Sequence, residues 1–280
     1  MTLVASKPNS ILAKQDKGTV QVTFTLAWKD VEAVYNHVLQ EEGAKVTIPG
    51  FRKGKAPIAK VKEKISTSVV IEHTLSHFYS SFIGEIINTH KVKPAIYPRI
   101  EVLKAIEGQD WEIRAVTCEL PEFELGDYRK LILDKGKPQF TKEEKEQIIL
   151  QTLVENIKID IPALLIEEEV NNRLSQLLSR IEKLGLQIEG YLAQVGKTPE
   201  TLRTEYETQA KKAISIELIL GKIADTENVV ANDQEVDRAI KAASAGQAGM
   251  EEKLNTPEQK NIVRNVLQRR TVMDSLVALI

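Results

Sequence analysis

From Thr141 to the C-terminus, breaks in the apolar periodicity repeatedly coincide with helix-start signals, and this regularity restricts the second half of the chain to an all-α architecture. Thr141 with Glu144, Asn232 with Glu235 and Thr256 with Gln259 each fit the reciprocal capping box, and Thr198 and Thr256 each precede a proline suited to the first helical position. The spacing predicts helices near 141–158, 162–184, 188–195, 199–224, 232–244 and 256–279, with no sequence repeat. Their apolar stripes are broad. Leu174, Leu177, Leu178, Ile181 and Leu184 wrap further round one helix than a single neighbour covers, so an open arrangement with partly exposed apolar faces is expected. The triplet Glu167, Glu168 and Glu169 falls in the first turns of its helix, where negative charge complements the dipole without any catalytic role.

The first half follows other periods. After a polar tail at 1–17, expected to be flexible, GTVQVTFTLAW alternates strictly: Val20, Val22, Phe24 and Leu26 point one way, and Gln21, Thr23 and Thr25 the other. Residues 29–42 then take helical spacing, with Val31, Val34, Tyr35 and Val38 on one face and Gly43 as the stop. A short helix from Pro57 to about Ile65 and one long helix over 69–90 follow, the latter carrying Ile71, Leu75, Phe78, Phe82 and Ile86 as its buried stripe. Residues 99–106 and 111–120 read as strands joined by the turn EGQD. The fold class is therefore an α+β N-terminal domain over 18–120, a small antiparallel sheet with helices on one face, followed by an extended all-α C-terminal domain over 141–280. Between them, 121–140 reads as a tethering linker with an extended piece near Leu131–Leu133.

Composition excludes several functions. The single cysteine, Cys118, precludes an internal disulfide and any Cys-rich metal site. No signal-peptide core opens the chain and no run approaches a membrane span, so a cytoplasmic protein without membrane contact is expected. Residues 1–138 hold 20 Lys and Arg against 17 Asp and Glu, and residues 139–280 hold 18 against 23, so neither half is a bulk nucleic-acid binder. His73 and His77 lie four apart, but zinc needs a third ligand that the sequence does not supply nearby. No nucleophile elbow and no phosphate-cradling glycine motif is present, so neither a catalytic residue nor a cofactor is expected.

The feature left unexplained is IPGFRKGKAP, residues 48–57. Gly50 and Gly54 allow left-handed backbone, while Pro49 and Pro57 stiffen the entries, so Phe51, Arg52 and Lys53 are pushed outward on a fixed turn. Lys45, Arg52, Lys53, Lys55, Lys60, Lys62 and Lys64 face one anion, Glu63, a local field suited to phosphate or carboxylate. A solvated basic turn is the bland alternative.

These ten residues resemble the signature loop of the bacterial trigger factor chaperones, and the elements around them follow that family's N-terminal domain. VENIKIDIPALLIEEEV, GYLAQVGKTPETLRTEY, ELILGKIADTENVVANDQEVDRAI and RNVLQRRTVMDSLVAL are similar to its C-terminal domain, whose helices form arms. The resemblance implies that Phe51, Arg52 and Lys53, in a set completed by Gly50, Gly54 and Lys55, dock on protein and rRNA of the large ribosomal subunit beside the exit tunnel. It also implies that the helices hold nascent or unfolded polypeptides without ATP. The family's FKBP-type prolyl isomerase module finds no counterpart after Pro138, so no enzymatic activity is expected, with residual isomerisation as the enzymatic alternative. A ribosome-independent holdase of the same shape is the other alternative, and a homodimer is a partner the reading admits.

Overall fold

Strict alternation along Thr19–Leu26 buries Val20, Val22, Phe24 and Leu26 and turns the intervening residues to the other side, which makes this segment the central strand of the first half. The computed structural model describes residues 9–52, 54–135, 140–245 and 250–280. The chain divides into two units, one of residues up to Leu120 with Pro162–Leu165, the other of Pro121–Ile161 with Ile166–Ile280.

In the first unit, strands β1 (Asn9–Lys14), β2 (Thr19–Leu26), β3 (Arg99–Lys104) and β4 (Trp111–Cys118) form an antiparallel sheet in the order β1-β2-β4-β3. Opposite Val22, Phe24 and Leu26 lie Ala115, Ile113 and Trp111, so the two inner strands present one continuous apolar face. Helices α1 (Trp28–Lys45), α2 (Ile58–Lys62), α3 (Thr67–Ser76) and α4 (Tyr79–Asn88) follow β2. Val31, Val34, Tyr35 and Val38 of α1 join Phe78 and Phe82 in the core over that face. Phe24 and Phe82 stack at 4.5 Å between ring centroids, and Tyr35 meets Trp111 edge-on at 5.9 Å. Burying each such ring contributes about 1.5–3 kcal/mol.

Four details depart from the sequence reading. Residues 9–14, expected within a flexible tail, form an edge strand: Leu12 packs on the core, and the Ser10 hydroxyl bonds Glu85 and His90 at 3.1 and 2.8 Å. The long helix over 69–90 is two helices. His77 and Phe78 donate to the carbonyls of Thr74 and Leu75, and these tighter three-residue steps break the helix while Phe78 stays in the core with Phe82. Gly43 does not stop α1, which runs on to Lys45, because the glycine is used for packing against α2. The short helix expected from Pro57 to Ile65 is regular only over Ile58–Lys62, with Pro57 just before it.

The chain after Leu120 is helical: α5 (Tyr128–Leu133), α6 (Lys142–Asn156), α7 (Ala163–Lys183), α8 (Ile188–Val195), α9 (Pro199–Thr226), α10 (Asp233–Ser244), α11 (Met250–Leu254) and α12 (Pro257–Val277). Reciprocal capping boxes start α6 at Thr141 and α10 at Asn232, and Thr198 caps α9 with Thr201 as its partner. At Thr256 the hydroxyl accepts from the Gln259 N–H at 3.3 Å. Ile149 and Leu153 of α6, Ile219 and Ile223 of α9, and Val272 and Leu276 of α12 form the buried centre.

Leu125, Tyr128 and Ile132 of the expected 121–140 linker belong to that same centre, and the extended piece expected at Leu131–Leu133 is corrected. The piece is helical, capped by Asp127 on the Lys130 N–H. Lys222 donates to the Phe123 carbonyl and sits 4.6 Å over the Phe123 ring. Residues 136–139, within the expected linker, and 1–8 of the expected tail lie outside the described residues.

Candidate functional site

The loop between α1 and α2 is built from two successive tight turns. In the first, the Phe51 N–H donates to the Ile48 carbonyl at 3.1 Å, with Pro49 and then Gly50 at φ +84° between them. Proline followed by a glycine with positive φ is the type II arrangement. In the second, the Lys55 N–H donates to Arg52 O at 2.9 Å and Gly54 has φ +73°. Ile48 is buried and anchors the entry. Phe51 and Arg52 stand at the junction of the turns, both exposed, Phe51 to 41%. An aromatic ring held open to water on a doubly turned loop is available to a partner. Lys53 lies outside the described residues.

The cationic field is smaller than the residue count implies. Lys45 bonds Glu42 at 2.5 Å, Lys60 bonds Glu63 at 2.9 Å, and Lys62 pairs with Glu107 while lying 5.7 Å over the Tyr35 ring. Glu107, which neutralises Lys62, comes from the β3–β4 turn and was not visible as a partner in the local sequence. Among the described residues Arg52, Lys55 and Lys64 make no ion pair, and these three carry the free positive charge of the loop and its flank.

Below the loop, Glu42 near the end of α1 accepts from both Lys45 and His73, at 2.5 and 2.9 Å. Its carboxyl is held below the ordinary range, chiefly by the Lys45 bond, against the opposing effect of burial and with further help from His73. His73 thus ties α3 to α1. Among the described residues no group of three or more His, Cys, Asp or Glu is placed to hold a metal. Burial pushes the Cys118 thiol up to about 11, leaving it a packing residue. Glu167–Glu169 fall in the second turn of α7, and Glu169 pairs with Arg173 at 2.7 Å.

The helical unit leaves apolar side chains bare. Of the stripe on α7, Ile181 is buried and Leu174 and Leu177 are half-buried, but Leu178, and Leu184 just past the helix end, are exposed to 42% and 74%. On α12, Ile262 and Val266 are likewise exposed one turn apart, while only the C-terminal part of that helix enters the core. No helix among the described residues is long and apolar enough to cross a membrane.

A small antiparallel sheet with helices on one face, presenting a stiff cationic turn, followed by a helical unit with uncovered apolar faces, defines a two-part α+β and all-α architecture. Residues 9–152 match the sequence model of the bacterial trigger factor protein (TF), and residues 127–278 match that of its C-terminus. The chain belongs to the trigger factor family. The two matches overlap, so no separate module lies between them here.

The trigger factor of Caldicellulosiruptor bescii is 30% identical over 71% of this chain and 44% of its own length, and that of Clostridium perfringens is 27% identical over 52% and 34%. The chain thus spans about a third of the length of the first of its curated relatives. A solved structure described under promiscuous substrate recognition in folding and assembly activities of the trigger factor chaperone superposes with a TM-score of 0.62 at 14% identity. That likeness, over 96% of this chain and 99% of that one, is one of fold.

Proposed function

We propose that the chain is an ATP-independent, cytoplasmic chaperone that docks beside the polypeptide exit of the large ribosomal subunit and holds nascent or unfolded polypeptides. The observation that carries the reading is the exposure of Phe51 next to Arg52, which makes no ion pair among the described residues, on a loop closed by two backbone hydrogen bonds. Arg52 supplies a planar donor fork for a carboxylate or phosphate, Phe51 an apolar plug, and Gly50, Lys53, Gly54 and Lys55 complete the docking set. Family membership supports the same assignment.

Holding falls to the helical unit. Dispersed apolar residues such as Leu178, Leu184, Ile262 and Val266, separated by charged neighbours, give many weak contacts, so a bound chain can leave again. No isomerase step is assigned, because the matched N- and C-terminal regions overlap in sequence.

Co-sedimentation of the full chain with bacterial ribosomes tests the docking. The parent should pellet with them and an Arg52→Ala, Lys53→Ala variant should remain in the supernatant. Equal pelleting of the two would remove the loop from the interface. Suppression of aggregation without any ribosome association would favour a free holdase instead. In a proline-limited refolding assay the chain should leave the slow phase of tens of seconds unchanged at catalytic concentrations.

A further inference from the structure

Taking the docking role as given, we infer that Gly43 is a positioning residue for the loop: by carrying no side chain it lets α2 close onto α1, and that closure sets where the loop's tip stands. Gly43 lies inside α1, two residues from its end, where a glycine weakens a helix and so calls for another explanation. Packing supplies one. A Cβ at position 43 would meet Val61 Cγ2 at 2.9 Å and Cγ1 at 3.0 Å, closer than side chains pack, and Val61 is the one buried residue of α2.

The loop leaves the end of α1 and enters the start of α2, so the separation of these two helices fixes both of its ends. Its return path also lies on α1: a Cβ on Gly54 would come to 3.6 Å from the Ala44 Cα. Nor is α2 free to yield. Lys62, the residue after Val61, is held by Glu107 and lies over the Tyr35 ring. A side chain at position 43 must therefore push Val61 outward against that fastening, and the two turns that aim Phe51 and Arg52 shift or loosen with it. Because α1 remains helical and the sheet core lies on its other residues, the fold survives while the tip is displaced.

The test compares the full chain with Gly43→Ala and with Gly43→Ala, Val61→Ala, which removes the two γ-carbons that the new methyl meets. Two readouts are taken, affinity for bacterial 70S ribosomes and hydrogen exchange at the Phe51 and Lys55 amides, whose bonds close the turns. Gly43→Ala should weaken ribosome binding about five- to tenfold and speed exchange at both amides about tenfold, with the β2 and β4 amides unchanged. The double variant should recover both within about twofold. A single variant that binds and exchanges like the parent overturns the inference, as does a double variant that stays impaired. Should the parent itself fail to bind ribosomes, the docking role falls, and the exchange comparison alone still decides whether Gly43 positions the loop.

Discussion

Tyr128 and Glu227, separated by 99 positions in the chain, meet in a 2.5 Å hydrogen bond in which the phenol donates to the carboxylate, and Arg129 adds a second donor at 2.6 Å. This clasp fastens the segment after the sheet to the end of α9. The Tyr128 and Arg129 bonds hold the Glu227 carboxyl below its ordinary value near 4.5, and burial, then the same bond, push the Tyr128 hydroxyl up. A depressed carboxylate stabilises the fold above its unfolded value and loses that contribution as pH falls through the folded one. Urea midpoints of the parent should therefore drop below about pH 4.5, and Glu227→Gln, weaker at neutral pH, should flatten that drop. At pH 7, Tyr128→Phe should cost about 1–2 kcal/mol. An unchanged midpoint in Tyr128→Phe would show that the clasp contributes nothing.

Replacing both exposed residues of the loop junction separates docking from stability. Phe51→Ala with Arg52→Ala should weaken ribosome affinity more than about tenfold. Melting should move by no more than about 0.5 kcal/mol, since neither side chain is buried. A large fall in melting temperature would mean the loop is part of the core.

Turn strain at Gly50 offers a paired comparison. Its φ of +84° disfavours a side chain, and so does the +81° of Gly108 in the β3–β4 turn, with nothing within 4 Å of either added Cβ. An alanine at either site should cost about 1–2 kcal/mol of local conformational energy. Only Gly50→Ala should lower ribosome affinity, measured by anisotropy of labelled protein. Equal affinities of the two variants would dissociate the turn from docking.

Salt dependence reads how many of the free cations reach phosphate. With Arg52, Lys55 and Lys64 unpaired among the described residues and Lys53 next to Arg52 in sequence, log affinity against log salt should fall with a slope between about −2 and −4. Arg52→Ala with Lys55→Ala should reduce that slope by about 1.5. A slope near zero would leave the aromatic and hydrogen-bonded contacts as the whole of the interface.

The exposed apolar residues of α7 and of the turn after it should matter to clients and not to the fold. Leu178→Ser with Leu184→Ser should shift stability by about 0.5 kcal/mol or less, while suppression of aggregation of a denatured test protein, followed by light scattering, falls. Undiminished suppression would place client holding elsewhere.

The loop was legible because its determinants are local: Pro49, Gly50 and Gly54 dictate turns whatever surrounds them. The capped helices of the second unit were legible for the same reason, with Thr141, Asn232 and Thr198 all capping as expected. What escaped is tertiary. Gly43 reads as a helix stop in one dimension, and only the approach of Val61 shows its use. The break at His77–Phe78 leaves the apolar spacing intact, so periodicity runs straight through it. Strand β1 is an edge of which only Ser10 and Leu12 are partly buried, too few apolar positions to announce a strand. Lys62 looked like a free cation because its partner, Glu107, lies 45 positions away.

The most direct measurement is a photo-crosslinking amino acid at position 51 in the full chain, irradiated with translating bacterial ribosomes. Position 51 should crosslink to a large-subunit protein at the polypeptide exit, and Arg52→Ala should abolish that crosslink. A chain that suppresses aggregation yet crosslinks to nothing on the ribosome through position 51 would contradict docking through this loop.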